Sequence, residues 1–116
     1  MINMPNESGD VAILVLTNLP DTSSAEKLAE FLIASKLAAC INILAPCVSM
    51  YQWQGKLEKA NEVPVMIKTT RGNYALLEAS ISKHHPYELP EIICVTIDDG
   101  LPAYLAWISE SHQSAL

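Results

Sequence analysis

Glycine, arginine and phenylalanine are scarce, with four, one and one among 116 residues. So few glycines make a phosphate-cradling loop untenable, and no GxSxG, Walker, HExxH or GxGxxG pattern occurs. A small phosphatase of ferredoxin-like build would want an arginine after its first strand, where this chain runs Thr17-Asn18-Leu19-Pro20-Asp21. The residues thus point away from an enzyme. The single arginine, Arg71, and scattered lysines form no basic patch, and thirteen acids against seven bases give a net charge of −6. That balance repels phosphate backbones and anionic lipid, which disfavours nucleic-acid and membrane-surface partners. No apolar run approaches the ~20 residues that cross a bilayer.

Cysteine is sparse as well. Cys40, Cys47 and Cys94 form no CxxC and cannot all pair within one chain. With no basic, apolar leader at the N-terminus, the odd count leads us to expect a reducing, cytoplasmic setting. Residues 1–10 have turn composition and read as a flexible N-terminal arm. Residues 11–116 read as one domain.

What is abundant is apolar side chain: half of all residues are hydrophobic and only 17% are charged. A small domain hides only about 60–70% of its extended-chain surface, so part of this apolar surface is expected to be buried between subunits. Residues 11–17, VAILVLT, read as a strand covered on both faces. Ser23 and Glu26 then suggest a capping box opening a helix over 22–36, with Leu28, Ala29, Leu32 and Ile33 as its stripe. From Leu37 to Trp53 the chain reads as one long or bulged strand interrupted at Pro46, and Gln54, Gly55 and Lys56 supply a turn. Residues 61–70 return as a second strand with Val63, Val65 and Ile67 on one face. Pro64 places that strand at an edge or a bulge. The two make a hairpin expected to run ten residues or more per arm. A helix opened by Gly72 and Asn73 presents Tyr74, Leu77 and Ile81 and ends by His85, ahead of Pro86. Residues 91–97 form a further strand. Pro102 starts a last helix through about Ser111, with Leu101, Leu105 and Ile108 on one side.

The order βαββαβ plus a helix predicts an α+β, ferredoxin-like sandwich with both main helices on one face of an antiparallel sheet. The other face then needs the third helix or a neighbouring subunit as cover.

Functional side chains are densest in His84-His85-Pro86-Tyr87-Glu88-Leu89-Pro90-Glu91. The histidines either close a helix C-terminus, where imidazolium favours the dipole, or serve as metal donors. A metal would need a third donor, Cys40 for a soft ion or Glu88 and Glu91 for harder ones. Cys40 lies in an apolar stretch, where an inert buried thiol is the alternative. Tyr51, Trp53, Gly55, Lys56 and Glu58 cluster at the hairpin tip and suit an inter-subunit contact.

The segments KLAACINI (36–43), YQWQGKLE (51–58), EVPVMIKTT (62–70) and HHPYELPEI (84–92) resemble, in the same order and spacing, the divalent-cation tolerance family CutA. The resemblance implies a ferredoxin-like protomer in a homotrimer built like the PII signalling proteins. It also implies a cytoplasmic bacterial role in tolerance of copper and other divalent cations, without an established reaction. The proposed copper donors of that family fall here on His84, His85 and Cys40. Leu16 and Ser80 stand where some copper-binding members have cysteine, so copper or another divalent cation is expected to bind weakly. A second reading is a PII-like regulator that takes a small molecule or protein in clefts between subunits, with Lys56, Lys68, Arg71, Glu58 and Glu91 as candidate lining. A third is a structural scaffold with no ligand.

Overall fold

The computed structural model describes residues 11–110, so the expected arm over 1–10 lies outside the described residues. The elements are β1 (Ala12–Leu19), α1 (Thr22–Ala34), β2 (Cys40–Ile43), β3 (Cys47–Trp53), β4 (Lys56–Thr70), α2 (Tyr74–His84), β5 (Ile93–Thr96) and α3 (Pro102–Glu110). A 3-10 turn over Arg71–Asn73 leads into α2. The strands pair antiparallel in the order β2-β4-β1-β5, with β3 continuing the sheet along the far half of β4. This is the predicted α+β, ferredoxin-like arrangement.

Alternation along β1 and β4 separates two faces. Ile13, Val15, Thr17 and Leu19 of β1 and Val63, Val65, Ile67 and Thr69 of β4 are buried, and with Ala25, Leu28, Leu32, Leu77 and Ile81 of α1 and α2 they supply most of the core. Thr17 is the costly member. Its hydroxyl is buried with no hydrogen-bond partner among the described residues, a burden of about 1–3 kcal/mol. Leu14, Leu16, Met66 and Lys68 alternate onto the second face, paired across β1 with Val95 and Ile93 of β5. There α3 lies against β4 and β1, with the Lys68 ammonium donating to the Tyr104 hydroxyl at 3.4 Å. Ile108 is fully buried beneath it, yet Ile93 and Val95 stay 49% and 45% exposed.

Several local expectations are corrected. The stretch 37–53 is two strands, and Pro64 sits in the central strand rather than at an edge or bulge. The Pro64 carbonyl accepts from the Leu44 N–H at 2.9 Å, but Pro64 has no N–H to return. The β2 ladder therefore stops at Ile43, and the chain crosses Leu44-Ala45-Pro46 before β3 starts. The paired hairpin arms are consequently seven residues long, from Cys47↔Glu62 to Trp53↔Lys56. Its turn is Gln54-Gly55, both at positive φ (52° and 81°), and Lys56 already belongs to β4. Helix α1 is capped two residues earlier than Ser23 and Glu26 suggest. The Asp21 carboxylate accepts the Ser24 N–H at 2.7 Å, and the Ser24 hydroxyl donates to the Asp21 carbonyl at 3.1 Å. Ile33 falls off the buried stripe and is exposed. The strand expected over 91–97 is shorter, Ile93–Thr96.

Candidate functional site

Two segments that the sequence leaves apart meet beside the end of β1. The β3–β4 hairpin brings Tyr51 and Trp53 opposite Glu58 and Lys56, while the chain leaving α2 turns at Pro86 and lays Tyr87–Glu91 across the same side. Between them lies a cleft of about 630 Å³, within the size range of small-molecule sites. Its walls are Tyr51, Trp53, Tyr87, Met50 and Leu89, and four carboxylates, Glu58, Glu62, Glu88 and Glu91, face it. No lysine, arginine or histidine lines it among the described residues.

The 87–91 segment is held by hydrogen bonds at both ends. His85, 8% exposed, makes a 2.6 Å contact from Nε2 to the Asn18 carbonyl, and its Nδ1 accepts the Tyr87 N–H at 3.1 Å. These partners fix the tautomer, because a ring that accepts at Nδ1 must carry its proton on Nε2 to donate to a carbonyl. The Asn18 side-chain amide in turn donates to Glu91 at 3.2 Å. Tyr87 packs against His85 with the rings tilted by 54° and their centroids 4.8 Å apart, and its hydroxyl donates to the Glu62 carboxylate. Burial first, and then the Glu62 carboxylate, push the Tyr87 phenol up to about 12.

The three expected metal donors do not form one coordination group. Among the described residues, no cluster of three or more His, Cys, Asp and Glu could hold a metal ion. His85 spends both nitrogens on the protein. His84 packs against Phe31 with the rings tilted by 42° and their centroids 4.5 Å apart, and directs Nδ1 at the Ser80 carbonyl, 2.8 Å away. It lines a separate groove of about 220 Å³ shared with Lys27, whose ammonium weakens any cation contact there. Cys40 stands on β2 opposite Lys68, whereas Asn18, whose carbonyl meets His85, is opposite Pro64. Four positions along β4 separate those rows, roughly 13 Å at strand rise. A tight three-donor site within one protomer does not fit this geometry.

The remaining candidates divide. Cys40 and Cys94 are half-buried and Cys47 is exposed; all three are free thiols. Glu58 and Glu91 line this cleft of the protomer, and Lys56, Lys68 and Arg71 lie outside it. Arg71 instead donates from Nη2 to the Thr96 hydroxyl at 2.9 Å, tying the end of β4 to β5. Asn18 and Glu62 belong to the site without having stood out in the sequence. The usable signal is period two, which sets Glu62 and Pro64 on the face opposite Val63 and Val65, at the mouth of the hairpin.

The fold and cleft define a class: a ferredoxin-like α+β domain with a projecting hairpin and an acidic, aromatic cleft at its base. The family model described as CutA1 divalent ion tolerance protein matches residues 13–111. The chain is 40% identical over 100 residues to the divalent-cation tolerance protein CutA of Yersinia pestis (strain Pestoides F), covering 86% of this chain and 84% of that one. Its fold matches CutA from Xylella fastidiosa with a TM-score of 0.85 at 38% identity, over 88% of this chain and 98% of that chain. The periplasmic divalent cation tolerance protein CutA from Archaeoglobus fulgidus matches at a TM-score of 0.85 and 33% identity, over 88% and 99%. The chain belongs to the CutA1 divalent ion tolerance family.

Proposed function

We propose that this chain serves divalent-cation tolerance as a non-enzymatic, cytoplasmic homotrimer that meets copper and other divalent cations weakly. The observation that carries the reading is the second sheet face, where Leu14, Leu16, Met66, Ile93 and Val95 form an apolar strip that α3 covers only in part. Two more copies of the chain supply the missing cover. Cation contact falls to the exposed His84 imidazole, with His85 bracing the segment beyond it. Cys40 on β2 contributes as a donor only from a neighbouring protomer. Imidazole suits Cu(II) and Zn(II), and a single such donor gives weak binding. No helix among the described residues is long and apolar enough to cross a membrane.

Sedimentation equilibrium combined with calorimetric titration of Cu(II) and Zn(II) tests both parts. The expected result is a mass three times 12.7 kDa, with weak heats that His84→Ala/His85→Ala abolishes. Unchanged heats in the double variant remove those residues from cation contact. A second reading is a PII-like regulator that takes a small molecule or a protein at clefts between subunits; the 630 Å³ cleft of the protomer supports its small-molecule form.

A further inference from the structure

The acidic cleft has the chemistry of a receptor for organic ammonium, and we propose that it binds alkylammonium groups, the aromatic rings of Tyr51, Trp53 and Tyr87 enclosing them and its carboxylates neutralising them. The inference rests on the small-molecule reading above and names its ligand class. It is independent of the cation contact at His84, which faces a different groove.

Two observations point the same way. The first is the lining. Tyr51, Trp53 and Tyr87 all line the concave site, and aromatic faces attract cations, with alkylated ammonium the ion that aromatic cages favour. Met50 and Leu89 add apolar wall for the carbon chain. The second is Glu62. It is only 9% exposed, and its partner is the neutral Tyr87 hydroxyl. Among the described residues no basic side chain forms an ion pair with it. A carboxylate that deep ordinarily has a counter-charge, since an unpaired buried ion is expensive. Glu58, Glu88 and Glu91 add to the same negative field, and no basic residue in the described lining offsets it. An ammonium ligand supplies the positive charge that the described residues do not. Anionic metabolites and nucleotides are disfavoured by the same field.

The test uses the full chain, with spermidine, n-butylammonium and a short lysine-containing peptide as probes, and Trp fluorescence and calorimetry as readouts. Matched sodium chloride controls for ionic strength, and Mg(II) and Zn(II) control for simple divalent charge. Expected is saturable binding of at least one ammonium probe that survives matched salt. Glu88→Gln/Glu91→Gln, at two exposed positions, weakens it about tenfold, and Trp53→Ala weakens it and removes the fluorescence change. A free amine binding where the peptide does not identifies a small metabolite as the source, and the converse identifies a protein side chain. Binding that is lost in salt, unaltered in both variants, or equalled by Mg(II) overturns the proposal. A panel of nucleotides and organic anions runs alongside. An anion that binds while every ammonium fails overturns the ammonium assignment but keeps the small-molecule reading. Silence across the whole panel overturns both.

Discussion

His85 carries most of the local order around the cleft. One imidazole joins the end of β1 to the segment beyond α2, because its two nitrogens have opposite roles toward Asn18 and Tyr87. The side chain that looked like a metal donor in sequence is thus a brace. Tyr87, two residues on, and Tyr74 on α2 share a second property. Burial foremost, then hydrogen bonds to Glu62 and Glu78, push both phenols up to about 12 from the ordinary 10. A phenol is neutral while protonated, and here the folded state holds the proton more tightly than the unfolded chain. Its contribution to stability is therefore complete below pH 10 and is lost as pH rises from 10 toward 12. Denaturant midpoints measured from about pH 8 upward are expected to fall over that alkaline window, and Tyr74→Phe/Tyr87→Phe is expected to flatten the fall. An equal slope in the variant would assign the alkaline loss to other groups.

Among the elements, helix α1 ends in a device that the sequence does not advertise. The Lys36 N–H reaches the Ile33 carbonyl at 3.0 Å and the Leu37 N–H reaches the Leu32 carbonyl at 3.0 Å, with Lys36 at φ 61°. This is the paired closure that usually uses glycine in the left-handed position, because a Cβ crowds the following carbonyl there. Lys36→Gly relieves that crowding and is expected to raise stability by about 0.5–1 kcal/mol, read by urea denaturation at unchanged slope. A loss of stability would show that the lysine stem contributes packing worth more than the strain. The same element scale explains what the sequence concealed. Periodicity was enough for α1, α2 and the core face of β4, since Leu28, Leu32, Leu77, Ile81, Val63, Val65 and Ile67 recur at their proper spacing. It could not separate β2 from β3, because the break depends on a proline across the sheet: Pro64 denies Leu44 its second hydrogen bond. Nor could it choose Asp21 over Ser23 as the cap, both being good acceptors two residues apart. The cleft was legible only as two halves, YQWQGKLE and HHPYELPE. Their meeting depends on the Trp53↔Lys56 register and on the bend at Pro86, both properties of long-range geometry.

The molecule as a whole is elongated, 50 × 30 × 24 Å, and its two sheet faces are unequally served. One has two helices across it. Among the described residues the other has α3 alone, which buries Ile108 and leaves Ile93 and Val95 of β5 about half in water. If about 400 Å² of that apolar strip is covered per protomer, ~25 cal/mol per Å² gives roughly 10 kcal/mol before the costs of association. That is comparable to the whole stability of a small domain, so assembly is expected to add substantially to the stability of a protomer that already has its own buried core. Ile93→Lys/Val95→Lys separates the two contributions. In a lone protomer those positions already touch solvent, so the charges are tolerated and far-UV circular dichroism stays native. Inside an assembly each copy would bury two unpaired ammonium groups, at several kcal/mol apiece. The variant is expected to sediment at the 12.7 kDa protomer mass and to melt at a lower, concentration-independent temperature, whereas the wild-type midpoint rises with concentration. A variant that keeps the wild-type sedimentation coefficient would show that β5 lies outside the subunit boundary.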